Sequence, residues 1–407
     1  VWGINYSPEL TGIAPYNVAL CEFLQQQGHE VRMVTTFFYY PMWEKLPRER
    51  YTLYRKDVLE SVKVFRCWHY VPKKVSSLKR ILHEGSFVFT SFLRQLFLKR
   101  PDVFVVVSPP LLLGAACWVL SWFKRAPFVF HVQDLQPDAA AGLGLLTNRG
   151  LIGCLYRLES LAYRKAAAVG GITRGMLSAF ESKMVPAAKR VYFPNGVQLP
   201  NLDRLPGRGG FRRSNGYSDD DILIVYSGNL GAKQGLEVLI EAARFIKDSR
   251  VKFIICGEGN RRAFLEELKT SLCLANVRFF PLQPEIHYHE LLVDADICVI
   301  TQQKGSSNFF FPSKLLNTLA FAKAVLTVSD NSSELAQALR QGGFGKNVEP
   351  SNPGELARII ETMVSDPKLL SDFGFQGRRF VEQFEMRTVL EEFHKVIQKI
   401  ARRRIDG

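Results

Sequence analysis

The stretch SGNLGAKQGLEVLIEAARFIKDSRVKFIICGEGN, residues 227–260, constrains the fold more than any other part of the chain. The apolar run Ile222 to Tyr226 leads into it and reads as a buried parallel strand. A loop with Gly228, Gly231 and Gly235 follows, then a helix whose Leu236, Leu239, Ile240 and Ala243 share one face. A second strand, Val251 to Cys256, ends in another turn, Gly257-Glu258-Gly259. Glycine turns at the carboxyl ends of neighbouring parallel strands let backbone N–H groups and helix N-termini face one crevice, which suits a phosphate or diphosphate. The same glycines also serve simply to make tight strand-to-helix turns. Two consecutive turns, with Lys233 and Arg261/Arg262 beside them, tilt the reading toward an anion site.

The alternation that this stretch belongs to runs along the whole chain. Residues Val1 to Asn5 read as a first strand, followed by a loop with Gly12 and a helix that starts at Pro15 and stops at Gly28. A strand from Glu30 to Thr36 opens into the aromatic loop FFYYPMWEKLP, long enough to be functional. Val62 to Tyr70 and Val103 to Ser108 read as further strands, as does Pro127 to Val132 with HVQDLQPD at its end. His131 and Gln133 point to one side of that strand and Asp134 begins the loop at its carboxyl edge, where ligands of open parallel sheets collect. A buried histidine there also reads as an ordinary hydrogen-bonded core residue. The segment QLPNLDRLPGRGGFRRSNGYSDDD has no apolar period and marks a domain boundary near residue 200. Beyond it the alternation restarts, so the architecture expected is α/β with two Rossmann-like, doubly wound domains and a cleft between them.

A chain of 407 residues is too long for one ordinary core, in keeping with two domains. Its seven cysteines are scattered without a C-x-x-C pair, which favours free thiols in a reducing cytosol over disulfides or a zinc site. His287-x-His289 lacks a third ligand, so no metal is expected. No signal peptide is read ahead of the first strand, and the apolar run 109–123 is shorter than the roughly 20 residues a membrane span takes. The net charge of +14 calls for an anionic partner. With no helix-turn-helix, zinc-finger or RNP signature, nucleic acid ranks last. Lys73, Lys74, Lys79 and Arg80 precede the aromatic run GSFVFTSFLRQLFLKR, and Lys124 and Arg125 follow Trp118, Trp122 and Phe123. A basic aromatic helix over 73–100 fits an anionic membrane surface, or equally a core helix with a solvated end.

The segments GINYSPELTGI, YYPMW, YVPK, SLKRILHEGSF, HVQD, FPNGV, YSGNLGAKQGLE, PSKLLN and LAFAKAV occur in this order over nearly the whole length. As a set they resemble the family 4 glycosyltransferases of GT-B fold, nearest to the exopolysaccharide enzymes that include the colanic acid glycosyltransferases. The resemblance implies an amino-terminal acceptor domain over 1–198, completed by a carboxyl-terminal helix over 386–407, and a nucleotide-sugar domain over 199–385. It implies that Gly12 lets the first loop approach donor and acceptor, that His131, Gln133 and Asp134 line the sugar side, and that Asn195 shapes the floor. Gly228, Asn229 and Lys233 would face the diphosphate, Gly257, Glu258 and Gly259 would flank the base, and Ser313 would cap a helix that presents Lys314. The chain departs from the family pattern at Asn229, where arginine is common, at Gln234, where lysine is common, and at Gln133, where many relatives have histidine. Asn317 stands where the second glutamate of E-x7-E aligns, with Phe309 at the first position, which leaves Asn317 to hydrogen-bond hydroxyls.

The function implied is transfer of a sugar, fucose or a related hexose, from a nucleoside-diphosphate sugar to a polyprenyl-diphosphate-linked saccharide at the cytoplasmic membrane face. Retention follows from the resemblance. With no D-x-D signature, Lys233, Lys314 and glycine-turn amides are expected to carry the leaving diphosphate without a metal or other cofactor. A nucleotide-sugar epimerase and a non-catalytic subunit of a membrane assembly are the competing readings.

Overall fold

The computed structural model describes residues 1–9, 12–40, 42–74, 76–138, 148–305 and 313–402. Phe309 and the helix tail expected over 403–407 lie outside them, as do the side chains of Ser77 and Ser313. The chain forms two compact units, Val1–Gly196 with Met386–Gly407, and Val197–Glu385.

The first unit contains strands β1 (Arg32–Thr36), β2 (Tyr54–Leu59), β3 (Val62–Cys67), β4 (Phe104–Ser108), β5 (Phe128–Val132), β6 (Ala168–Gly171) and β7 (Arg190–Tyr192). Its helices are α1 (Ala14–Gln26), α2 (Ser77–Phe97), α3 (Leu112–Lys124), α4 (Arg149–Lys165) and α5 (Arg174–Ser182). The strand orders are β1-β3-β2 and β4-β5-β6-β7, and Trp2 bridges the two groups by pairing in parallel with Val34 and Val106. The expected first strand is thus a short extended segment, with the Trp2 amide bonded to Val105 O at 2.8 Å and the Gly3 amide to Val34 O at 3.2 Å. Inserted there, it completes a Rossmann-type order around the amino terminus. The hairpin strand β2, antiparallel to β3, is one the sequence reading did not place. It is amphipathic and lies at the sheet edge, where the periodic apolar signal is weak.

Alternate strand residues face opposite layers. Val34, Val106, Phe128 and Phe130 pack with α2, α3, α4 and α5, whereas Met33, Val64, Val105 and Val129 pack with α1 and the closing helix of the chain. The basic aromatic helix expected over 73–100 is shorter, Ser77–Phe97. Leu98 is already extended, ahead of Lys99-Arg100-Pro101, where proline disfavours helical backbone before it. Its inner face is core: Phe87 and Ser91 are fully buried, and Ser91 accepts a 3.0 Å hydrogen bond from the Trp2 indole.

The second unit has strands β8 (Ile222–Ser227), β9 (Val251–Cys256), β10 (Val277–Phe280), β11 (Ile297–Thr301), β12 (Ala324–Val328) and β13 (Gly345–Val348). Helices α6 (Gly210–Asn215), α7 (Glu237–Ala243), α8 (Arg262–Ser271), α9 (Glu285–Asp294), α10 (Ser313–Ala320), α11 (Glu334–Gly342), α12 (Pro353–Val364) and α13 (Pro367–Val381) accompany them. The sheet is wholly parallel in the order β10-β9-β8-β11-β12-β13, the 3-2-1-4-5-6 arrangement of a Rossmann fold. α14 (Met386–Arg402) then returns to the first unit, where Phe393 stacks on Phe193 at 3.8 Å between ring centroids.

Candidate active site

In the second unit the winding direction of the sheet reverses between β8 and β11, the place where ligands of such sheets bind. Tyr226 and Ser227 end β8, Thr301 ends β11, and Lys314 is the second residue of α10. The Lys314 Nζ lies 3.8 Å from the centre of the Tyr226 ring. Part of its stem is exposed, but Nζ itself is buried and has no hydrogen-bond partner among the described residues. Burial lowers its pKa from the ordinary 10.5 to about 7. The amino end of α10 adds a positive dipole, unfavourable to an ammonium and favourable to an anion. The Thr301 hydroxyl, also buried, has no partner among the described residues either. Orphaned polar groups at the end of β11 and on the first turn of α10 mark a place for a polar ligand.

Gly228 is required here for two reasons. Its φ of +149° is costly for other residues, and a Cβ would lie 3.0 Å from Lys314 Nζ. The expectation that glycine-turn amides bind the diphosphate needs correction, however. The Gly228 amide donates to Cys256 O (2.9 Å), the Leu230 amide to Glu258 O (2.9 Å) and the Gly257 amide to Phe280 O (3.0 Å). These bonds continue the ladder beyond the strand ends and tie the turns together. The other glycines serve that close approach: a Cβ at Gly257 would lie 1.8 Å from Gly228 O, and one at Gly259 2.3 Å from Leu230 O. Arg261 and Arg262, read as anion ligands, are engaged by carboxylates, Arg261 by Glu237 and Arg262 by Glu258 (2.6 Å) and Glu266 (2.9 Å). Glu258 is exposed at that ion pair.

The other residues expected on the donor side lie in the turn after β8 and on α10. Asn229 is exposed and its carbonyl accepts the Tyr226 hydroxyl at 2.8 Å. Lys233 is exposed in a single 3-10 turn, and its carbonyl accepts the Gln303 amide at 2.8 Å. Gln234, the residue that departs from the family lysine, braces the same turn by accepting the Gly231 amide at 3.2 Å. Ser313 is the first residue of α10, one place inside the cap position expected for it. Asn317 is exposed one turn after Lys314, on the same side of α10.

In the first unit three predicted residues form one network. Gln133 Nε2 lies 2.9 Å from His131 Nε2 and donates to Asn195 Oδ1 at 2.9 Å, while Asn195 Nδ2 donates back to Gln133 Oε1 at 3.0 Å. With Tyr16, Asn17 and Leu390 they line a small pocket. His131 is buried against Phe193, ring centroids 4.6 Å apart, and burial lowers its pKa to about 3. With its pKa so far below 7 the ring stays uncharged, holds Gln133 and Asn195 in place and is poorly matched to proton transfer at pH 7. Asp134 is half-buried and close enough to Arg80 to favour its charged form. Gly12 has φ +68° in the turn before α1, 3.5 Å from the Tyr40 ring if given a Cβ.

Three residues of these sites were missed in the sequence. Tyr226 and Thr301 look like ordinary strand ends, although a tyrosine closing an aliphatic strand before a glycine turn was a signal. Glu9 carried none. Its buried carboxylate accepts from Asn5 Nδ2 (2.7 Å) and from the amides of Tyr39 (3.3 Å) and Tyr40 (3.2 Å), and so pins the loop leading to Gly12 against the aromatic loop. Burial raises its pKa despite those bonds.

Two Rossmann-like units in one chain are the architecture of the GT-B glycosyltransferases, and the comparisons with known proteins agree on that class. Residues 11–196 match the family model "Glycosyl transferase 4-like domain" and residues 208–380 match "Glycosyl transferases group 1". The chain is 36% identical over 378 residues to "Putative colanic acid biosynthesis glycosyl transferase WcaI" of Escherichia coli (strain K12), covering 90% of this chain and 92% of the relative. It belongs to glycosyltransferase family 4. Sucrose-phosphate synthase (tll1590) from Thermosynechococcus elongatus superposes with a TM-score of 0.76 at 15% identity, over 98% of each chain. Anabaena Alr3699/HepE in complex with UDP gives 0.68 at 16% identity, over 98% of this chain and 99% of that one. Both likenesses concern the fold.

Proposed function

We propose that this glycosyltransferase moves a hexose, fucose or a relative, from a nucleoside-diphosphate sugar to a saccharide carried on polyprenyl diphosphate during exopolysaccharide assembly, with retained configuration and no metal ion. The donor class rests on one observation, the buried Lys314 amine at the switch point of the second sheet with no hydrogen-bond partner among the described residues. Breaking a sugar–phosphate bond leaves negative charge on the nucleoside diphosphate. A fixed cation at a helix N-terminus stabilises that charge as it develops, and the stabilisation is larger in a buried site than in water. In this reading Lys233, Asn317 and Thr301 contact phosphate and ribose oxygens. The colanic acid name of the Escherichia coli relative supports exopolysaccharide synthesis, and the UDP complex of the Anabaena protein supports a nucleotide ligand.

The acceptor is assigned to the first unit, with Gln133, Asn195 and Asp134 on the sugar side. No helix among the described residues is long and apolar enough to cross a membrane. A peripheral location at the cytoplasmic face is supported by the outer side of α2 and α3. Phe97, Trp122 and Phe123 are exposed there, with exposed Lys99, Arg100 and Arg125 close by in the chain. Lys124 Nζ joins the two helix ends by donating to Leu96 O and Leu98 O, both at 2.7 Å. Aromatic and basic side chains together suit an anionic headgroup layer. The test is incubation with a panel of nucleotide sugars, with and without a polyprenyl-diphosphate disaccharide. Transfer that requires the acceptor supports the reading; conversion of donor alone contradicts it.

A further inference from the structure

We propose that Tyr226 is a positioning residue whose ring face seats the Lys314 ammonium for the donor diphosphate, in the role a carboxylate usually fills. The inference rests on the donor-site reading above and adds a residue to it. Lys314 Nζ stands 3.8 Å over the ring centre with no hydrogen-bond partner among the described residues. An aspartate in that place would hold the lysine more tightly, but it would repel the incoming phosphates. The ring attracts the cation through its quadrupole, carries no net charge and occupies none of its N–H groups as a conventional acceptor would. Its plane is fixed by the turn, because the Tyr226 hydroxyl donates to Asn229 O at 2.8 Å. Gly228 completes the seat, since a side chain there would press on the ammonium. Tyr226 is fully buried, so the ring has no freedom to turn away.

The ring favours the charged amine whether or not a ligand is present. An empty site can discharge the amine above neutral pH, but a site holding diphosphate cannot. A weaker ring therefore costs little affinity below pH 7 and nearly its full amount from about pH 8 upward, where the empty amine is largely neutral.

The experiment uses the full chain and inorganic pyrophosphate as probe, by titration calorimetry at pH 8 in buffers of different ionisation enthalpy. Tyr226→Phe keeps the ring, and 3,5-difluoro- and 3,4,5-trifluorophenylalanine at 226 keep its shape while draining its face of charge. Relative to Tyr226→Phe, which shares with the fluorinated residues the loss of the hydroxyl anchor, the Kd is expected to climb along the fluorinated series by about 2- to 30-fold, the span of a cation–π contact. The proton taken up on binding should persist throughout and vanish in Lys314→Met. A flat series, together with a Kd raised at least about 10-fold by Lys314→Met, overturns the role of Tyr226 and leaves the donor site standing. An unchanged Kd in Lys314→Met overturns the donor-site reading itself.

Discussion

Replacing Lys314 by methionine should stabilise the empty protein while disabling it. The lysine holds a buried amine whose pKa has fallen from 10.5 to about 7. At about 1.36 kcal/mol per pH unit this sets an upper bound of about 4–5 kcal/mol on the cost of keeping that group folded near neutral pH. Relaxation and water entry reduce such costs, so a gain of about 2–4 kcal/mol is expected from an apolar side chain of similar length. For a unit of this size the melting temperature should rise by roughly 5–10 °C. The sign follows from proton binding. Between pH 7 and 10.5 the unfolded chain holds a proton on this lysine that the folded chain lacks, so wild-type stability rises with pH through that window. The advantage of the variant is thus full below pH 7, shrinks as pH climbs and disappears near 10.5. Urea unfolding of both proteins at pH 7 and pH 9.5, without ligand, reads the difference directly. Nucleoside diphosphate, which should stabilise wild type by mass action, should leave the variant unmoved. A variant that is less stable than wild type at pH 7, or equally advantaged at both pH values, refutes the reasoning.

Nucleoside-diphosphate affinity of the wild type should fall by about 10-fold per pH unit above pH 7.5, because binding must recharge Lys314, and calorimetry on Lys314→Met should show no such slope. Gly257→Ala, which puts a Cβ 1.8 Å from Gly228 O at a φ of +150°, should cost at least about 2 kcal/mol in thermal or urea unfolding. Trp122→Ser with Phe97→Ser should lower binding to vesicles of anionic lipid by at least about 10-fold in flotation. Charge reversal at Lys73, Lys74, Lys79 and Arg80 probes the more distant end of α2, and unchanged flotation there confines docking to the Phe97 end.

The alternation of apolar runs and glycine turns made both sheets legible, since parallel strands buried on two faces leave continuous apolar segments. The Rossmann order around β8 follows from that alternation and the right-handed crossover rule. The antiparallel β2 stayed hidden because an edge strand with mixed burial has no such signature. Within the site, the residues with charge or glycine were visible, yet their partners were not. Nothing in the spacing of Gly228 and Gly257 tells whether their amides point to a ligand or to the next turn; the strand register decides, and they bond to Cys256 and Phe280. Arg261 looked available because Glu237 stands 24 positions earlier, whereas Arg262 has Glu258 and Glu266 each four positions away, a helical spacing from which those ion pairs were legible. Lys314 was recognisable as a helix-start lysine, but its isolation depends on Tyr226, nearly ninety positions earlier in the chain.

The most direct test of the account is transfer of labelled sugar from the nucleotide sugars of the panel to a polyprenyl-diphosphate saccharide, measured in EDTA with wild type and Lys314→Met side by side. The account predicts product from wild type with undiminished turnover in EDTA, and a loss of at least about 100-fold in kcat/KM for the variant. Wild-type turnover that collapses in EDTA, or a folded Lys314→Met protein that transfers at the wild-type rate, would contradict it.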